Sequence, residues 1–197
     1  KCDTASAAFQ AEEAGLVDFA GSEEQVLAQM RRLFTLLPAN NEDDMSYAEC
    51  GDDLNRVIPD LASCVSDPAL MLPRISDSQI YFEVKPDYGK DMVTALIQLG
   101  GSTVGAVANR SVLYDAQGNE SEKYDGVLSA RGARKAAEFI EFCDAFSIPV
   151  VSFTNVKNYK ATKCSEANLA KAAAKMVYAF ANATTPKVNV ITGYAYG

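Results

Sequence analysis

The stretch RGARKAAEFIEFCDAFSIPVVSFTNV, residues 131–156, decides the fold class because it joins a helix pattern to a buried strand pattern. In its first half, alanine and larger apolar side chains recur at helical spacing up to Phe146, and Pro149 follows them. Its second half, Val150–Val156, contains three valines and a phenylalanine among its seven residues and is interpreted as a buried strand. The stretch therefore predicts a helix-to-strand step of an α/β domain.

The same step occurs a second time downstream. Residues 165–183 have a helix pattern, and Lys187–Thr192 is a second apolar run, directly after Pro186. Because a helical crossover of this length joins parallel strands, we expect the two runs to pair in parallel in one sheet. The second half of the chain is therefore predicted to be α/β.

The region before this core has strand and turn signals. Ile80–Val84 has a strand pattern, and residues 92–108 predict a β-hairpin. The pair Gly100 and Gly101 suits its tight turn, because glycine adopts positive φ without steric cost. Residues 114–125 are polar and predict an exposed excursion.

The N-terminal third is predicted to be mainly helical. Ser22 and Gln25 form a capping-box pattern, so a helix is expected to begin there and to end before Pro38. The acidic run within residues 40–53 is interpreted as a solvated loop, because it lacks the alternating ligands and the turn glycine of a metal loop. Two short helical pieces are expected in residues 54–65 and 68–75.

Composition limits the possible functions. The 197 residues, 48% of them hydrophobic, suffice for one sizeable α/β core, and the net charge of −8 disfavours nucleic acid as a partner. Five cysteines without a CxxC pair, in a chain without histidine, predict free thiols in a reducing cytoplasm and no metal site. No apolar stretch reaches the roughly twenty residues of a membrane span, and both chain ends are expected to be cut from something longer.

Side chains suited to catalysis are scarce, so backbone groups are the first candidates for chemistry. The sequence has no histidine, no GxSxG motif and no phosphate-loop glycine pattern. In an open α/β sheet, ligands bind outside the carboxyl ends of the strands, where free N–H groups project. Two segments are predicted to be loops at such ends, namely residues 156–160 and 193–197, and their amides could hold a developing oxyanion.

Several blocks, in order, resemble the carboxyltransferase subunits of biotin-dependent acyl-CoA carboxylases and decarboxylases. The resemblance covers nearly the whole chain but only the middle portion of a typical subunit. The earlier part of the chain, including Gly15–Asp18 and Leu37–Asn41, resembles the end of the first lobe. The blocks that resemble the second lobe are Ile80–Lys90, Leu99–Asn109, Lys135–Pro149, Pro186–Thr192 and Ala195–Gly197.

The resemblance implies a fold and a reaction. Residues 1–75 would be the helical tail of the N-terminal lobe with a connector, and residues 76–197 a truncated crotonase (ClpP)-like ββα superhelix lobe. The reaction would be carboxyl transfer between carboxybiotin, on a separate biotin carrier protein, and the α-carbon of an acyl-CoA, without a metal. Other carboxylase or decarboxylase subunits would be partners of a cytoplasmic homo-oligomer that does not insert into the membrane, and the isolated piece would be inactive.

The resemblance also implies site residues. Gly197 would supply the first of two backbone amides that face biotin. Lys157, Asn158 and Tyr159 stand where the family usually has Pro-Gly-Phe, so the amide of Asn158 replaces that of a glycine, and asparagine tolerates the left-handed conformation better than most residues. The residues expected to contact substrate or biotin are Lys157, Tyr159, Ala195 and Tyr196.

Two other functions stay open from the sequence. An enzyme of the enoyl-CoA hydratase or isomerase type would share the fold but would need an acidic catalytic pair near the thioester, and none is evident. A noncatalytic assembly module would bury a flat apolar face against a partner and would leave no acyl-CoA groove.

Overall fold

A five-stranded mixed sheet organises the second half of the molecule. The structure, a computed structural model, describes residues 3–43 and 49–196. The helices are α1 (Glu23–Leu36), α2 (Leu61–Cys64), α3 (Pro68–Ile75), α4 (Ala130–Ala145) and α5 (Lys163–Asn182), with a π-helix at Phe9–Ala14 and a 3₁₀ turn at Asp77–Gln79. The strands are β1 (Tyr81–Val84), β2 (Met92–Leu99), β3 (Ser102–Asn109), β4 (Val112–Tyr114), β5 (Glu120–Lys123), β6 (Val127–Leu128), β7 (Val150–Val156), β8 (Asn158–Tyr159) and β9 (Lys187–Ala195).

The strand order in the large sheet is β1-β2-β3-β7-β9. The first three strands are antiparallel neighbours, and Leu99 pairs with Ser102 across the predicted turn. Gly100 and Gly101 have φ of 60° and 81°, so both use the conformation that a two-residue hairpin turn favours. Strands β3, β7 and β9 are parallel, which confirms the expected parallel arrangement around α4 and α5.

Helices cover both faces of the sheet. Helices α4 and α5 pack on one face, where Leu96, Val107 and Val150 are buried, and α3 packs on the other. Helix α4 lies very close to β3, since a Cβ at Gly105 would come within 2.5 Å of Cys143 Sγ. The side chains of β2 and β3 alternate between two apolar cores, so the centre of the sheet is buried on both faces. The prediction of a buried strand at Lys187–Thr192 is wrong in burial, because β9 forms the edge of the sheet and is exposed along most of its length.

The N-terminal predictions are confirmed in part. Ser22 and Gln25 form the predicted capping box, and α1 ends two residues before Pro38. The helix expected in residues 54–65 is wrong in extent, because only Leu61–Cys64 is α-helical after an irregular segment. The predicted acidic loop includes residues 44–48, which lie outside the described residues. Among the described helices, none combines the length and the apolarity that crossing a bilayer requires.

The polar excursion is more regular than the sequence indicates. Strands β4 and β5 form an exposed antiparallel hairpin, with Leu113 opposite Glu122. Its turn is stabilised by Asp115, whose carboxylate accepts hydrogen bonds from the backbone N–H groups of Gln117 and Asn119 at 2.9 and 2.8 Å. An Asx-type turn thus explains why this polar segment folds back on itself.

Candidate functional site

A cavity of about 360 Å³ lies at the carboxyl ends of β7 and β9. Tyr159 and Tyr196, which come from the two segments predicted to carry the chemistry, both line it, and so does Ala195. Apolar side chains from the sheet and α5 form much of the remaining wall, namely Met92, Val107, Leu128, Phe153, Val156, Met176 and Phe180. The structure therefore brings together two segments that are more than thirty residues apart in the sequence.

The segment predicted as a loop after the last strand is largely part of that strand. Strand β9 continues to Ala195, which pairs with Val156, and Tyr196 N–H donates to the Val156 carbonyl at 2.9 Å. The register shifts between two pairs, Thr154 with Ile191 and Val156 with Ala195. Between these pairs, one residue of β7, Asn155, lies opposite three residues of β9. This irregularity lets β9 continue where the apolar pattern predicted a stop at Thr192.

The other predicted loop is also partly strand. Asn158 and Tyr159 form β8, which pairs in parallel with Val127 and Leu128. Asn158 is therefore extended, and it does not adopt the left-handed conformation that asparagine tolerates better than most residues. Its side-chain Oδ1 accepts from Tyr159 N–H at 2.9 Å. The sequence did not indicate strand β8, because its partner strand β6 has only two residues and no recognisable pattern.

The predicted site residues divide into three groups. Tyr159, Ala195 and Tyr196 line the cavity, with Tyr159 39% and Tyr196 64% exposed. Lys157 lies beside the cavity and not on its wall, since its Nζ is 4.8 Å from the centre of the Tyr194 ring, a cation–π geometry. Gly197 lies outside the described residues, and the role of the Asn158 amide stays a prediction.

A polar cluster on the cavity wall was not predicted. Asn189 Oδ1 accepts hydrogen bonds from Ser152 Oγ at 3.0 Å and from Thr154 Oγ1 at 2.8 Å. All three residues line the cavity, and a fourth polar lining residue, Asn109, comes from the end of β3. The signal was present in the sequence, because Ser152 and Thr154 alternate with Val151 and Phe153 in β7.

A buried lysine donates a hydrogen bond to the backbone of a residue that lines the cavity. Lys135 of α4 is 1% exposed, and its Nζ donates to the carbonyl of Met92, a residue that lines the cavity, at 2.9 Å. Burial lowers the pKa of Lys135 from 10.5 to about 8, and the nearby Glu83 carboxylate opposes this shift. Keeping Lys135 charged in this buried position therefore lowers the free energy of unfolding.

Lys135 is expected to contribute an increase in stability with pH above 8, and the buried Cys143 thiol, whose pKa burial raises to about 12, contributes in the opposite direction. Between pH 8 and 9.5 the unfolded chain, in which Lys135 has its ordinary pKa, binds more protons than the folded chain, so raising the pH favours the folded state. The slope has an upper limit of about 1.4 kcal/mol per pH unit. Urea unfolding across this range should give a more positive slope of stability against pH in the wild type and in the exposed-lysine control Lys171→Met than in Lys135→Met, because Cys143 contributes equally to all three. An equal slope in all three proteins would contradict the assignment.

The cavity combines apolar walls with a few uncharged polar side chains, which suits a ligand that has a polar ring and an aliphatic chain. Among the described residues that line it, none carries a carboxylate, so the acidic pair that a hydratase or isomerase would use is not found there. The described residues also contain no cluster of potential metal ligands. The described residues give the site aromatic and aliphatic walls together with amide and hydroxyl groups.

Comparison with known proteins decides the family. The model of the carboxyl transferase domain matches residues 4–197. The chain belongs to the carboxyl transferase domain family. This confirms the kinship expected from the sequence blocks.

Relatives in the carboxyl transferase domain family include a propionyl-CoA carboxylase chain and a methylmalonyl-CoA decarboxylase subunit. The chain is 34% identical over 179 residues to the mitochondrial propionyl-CoA carboxylase beta chain of Sus scrofa, covering 87% of this chain and 31% of that protein. It is 33% identical over 192 residues to the methylmalonyl-CoA decarboxylase subunit alpha of Veillonella parvula, covering 93% and 36%. The chain thus spans about a third of the length of these relatives.

A solved structure confirms the fold. Transcarboxylase 12S, in a structure with hydrolysed methylmalonyl-coenzyme A bound, superimposes with a TM-score of 0.80 at 29% identity. The match covers 92% of this chain and 35% of that one. The predicted crotonase-like α/β lobe is therefore confirmed, while the division into residues 1–75 and 76–197 stays a prediction.

Proposed function

We propose that this chain is part of a carboxyltransferase subunit that moves a carboxyl group between carboxybiotin and the α-carbon of an acyl-CoA. The observation that carries the proposal is the convergence of Tyr159, Ala195 and Tyr196 on one cavity at the carboxyl ends of parallel strands. Family membership supplies the reaction class. The cavity itself supports the biotin side of that reaction.

The lining suits the bicyclic ring of biotin. A ureido group needs hydrogen-bond partners, and Asn109, Ser152 and Asn189 place amide and hydroxyl groups on the wall. The thioether ring and the aliphatic arm need apolar contacts, which Phe153, Phe180 and the other apolar lining residues provide. Bound biotin would supply the carboxyl group and, once free of it, a base for the acyl-CoA α-carbon.

The chain's own contribution is to orient the ring and to exclude water. Aromatic walls lower the local dielectric constant, which strengthens any hydrogen bond that is made inside the cavity. Backbone N–H groups beyond β9, with Gly197 as the first, would donate to the carbonyl oxygen on which negative charge develops. Because amides keep their protons at all relevant pH values, this stabilisation needs no histidine.

The division of the chain and its partners are part of the same proposal. Residues 1–75 would end the first lobe, and residues 76–197 would belong to the second. A biotin carrier protein, further carboxylase or decarboxylase subunits and further copies of the subunit would complete a cytoplasmic enzyme. The transcarboxylase 12S structure is described as a hexamer and a multienzyme core, which supports an assembly of this kind.

A transfer assay on the full gene product tests the proposal. The protein is mixed with carboxybiotin on a carrier protein and with propionyl-CoA, and carboxylated acyl-CoA is measured. We expect transfer by the wild type, its near loss in Ala195→Trp, which fills the cavity, and wild-type activity in Ala116→Trp, a control in the exposed β4–β5 turn. Absence of transfer to propionyl-CoA and to other acyl-CoA thioesters would overturn the proposal, as would full activity of Ala195→Trp.

A further inference from the structure

The side chain of Asn155 fills the irregularity between β7 and β9. Its Oδ1 accepts a hydrogen bond from Tyr194 N–H on β9 at 3.1 Å, and its Nδ2 donates to Ser111 Oγ, between β3 and β4, at 3.1 Å. Its own backbone N–H donates to Asn109 Oδ1 at 3.2 Å. One residue thus links β9 to the ends of β3 and β4, in the gap where ladder pairing between β7 and β9 is interrupted.

Gly193 is adapted to the same side chain. A Cβ at this position would overlap Asn155 Oδ1 and lie 2.7 Å from Asn155 Cγ. The φ of Gly193 lies outside the left-handed range, so an L-residue would suit the backbone itself. The close approach of Asn155 is therefore the reason that the structure gives for glycine here.

Tyr194, whose N–H donates to Asn155, contacts residues of both segments of the site. The Tyr194 ring packs 5.8 Å, centre to centre, from the Tyr196 ring, and it receives Lys157 Nζ on its face at 4.8 Å. Tyr196 lines the cavity, and its N–H donates to Val156 O at 2.9 Å. A shift of the Tyr194 backbone would therefore be passed to Tyr196 and to the chain that follows it.

We propose that Asn155 is a positioning residue for carboxyl transfer, which sets the course of β9 at Tyr194 and thereby the direction of the N–H groups beyond it. This inference rests on the proposed function. Asn155 does not line the cavity and would act without touching biotin or acyl-CoA. Positioning is effective here because misplacing a reacting group by about 1 Å can cost about 100-fold in rate.

Substitutions at Asn155 and Gly193 in the full gene product test the inference. We expect Asn155→Ala to lower kcat about tenfold or more with an unchanged KM for acyl-CoA, since the loss lies in orientation at the biotin side. Asn155→Asp keeps an acceptor for Tyr194 N–H and should stay within about threefold of wild type. The control Asn119→Ala alters an exposed asparagine of the β4–β5 turn and should leave kcat unchanged.

A double-mutant cycle separates positioning from general destabilisation. Gly193→Ala alone should lower kcat about tenfold, but in the Asn155→Ala background it should add less than about twofold, because the clashing amide is gone. Hydrogen exchange measured by mass spectrometry should rise in residues 187–196 of Asn155→Ala and stay constant in α4. Additive effects, wild-type kcat in Asn155→Ala, or faster exchange throughout the sheet would each overturn the inference.

The two proposals fail in different ways. A wild-type protein that transfers no carboxyl group would overturn the proposed function and the positioning role together. An active wild type whose Asn155→Ala and Gly193→Ala variants keep full kcat would overturn the positioning role alone.

Discussion

Replacing Gly197 by proline is expected to lower kcat for carboxyl transfer by about 10²- to 10³-fold, the effect of removing one oxyanion-hole donor in other enzymes. Proline has no backbone N–H, so the substitution deletes the donor that the family resemblance assigns to this position. The measurement is kcat of the full gene product with carboxybiotinylated carrier and saturating acyl-CoA. Binding of acyl-CoA, followed as KM, should change little.

Gly197→Ala is the matched control for this prediction. Alanine restricts the backbone relative to glycine but keeps the N–H group, so we expect it to retain most of the wild-type kcat. Replacing the amine of Lys157 by the uncharged side chain in Lys157→Met should likewise have a small effect, because Lys157 Nζ contacts the Tyr194 ring and Lys157 does not line the cavity. Equal losses in the proline and alanine variants would show that shape, and not hydrogen-bond donation, matters at Gly197.

The largest loss of stability is expected for Asp67→Ala, about 3–5 kcal/mol in the free energy of unfolding, because it leaves the buried Arg110 guanidinium with the more distant carboxylate of Glu83, 3.8 Å from its Nη2, in place of Asp67. Asp67 Oδ1 lies 2.8 Å from Arg110 Nε, and both side chains are 3% exposed. Asp67 also caps α3 through Ala69 N–H and accepts from Tyr114 N–H at the start of the polar hairpin. Urea unfolding at pH 7 measures the change.

An exposed ion pair provides the comparison. Asp60 lies 3.0 Å from Arg74 Nε, but these side chains are 58% and 38% exposed. Asp60→Ala should therefore cost less than about 1 kcal/mol, since solvent screens such pairs. If Asp67→Ala and Asp60→Ala were equally mild, the buried pair would not be a main support of the link between α3 and β3.

The central topology could be predicted because the local signals agree with one another. Positive-φ glycines at 100 and 101 mark the hairpin, and Pro149 and Pro186 mark the entries to the two parallel strands. Each signal depends on a residue whose backbone behaviour differs from that of the others in any context, because glycine accepts positive φ and proline fixes φ. The cavity between Tyr159 and Tyr196 followed from this topology, because parallel strands bring their carboxyl ends to one edge.

The details of the site depended on tertiary contacts that leave little trace in a single sequence. Strand β8 exists because Gly126 and Leu128 offer carbonyls to Lys157 and Lys160, residues about thirty positions away. The irregularity at Asn155 requires a glycine at 193 whose reason is visible only when the two strands are adjacent. The spacing of apolar residues around Lys135 in the helix does not show whether its amine is buried or exposed.

Determining the structure of the full gene product with free biotin bound tests the central claim most directly. The account predicts the ureido ring in the cavity between Tyr159 and Tyr196, with its carbonyl oxygen within hydrogen-bond distance of a backbone N–H beyond β9. Biotin bound at another surface, or held in this cavity through charged side chains with its carbonyl oxygen away from the backbone, would contradict it.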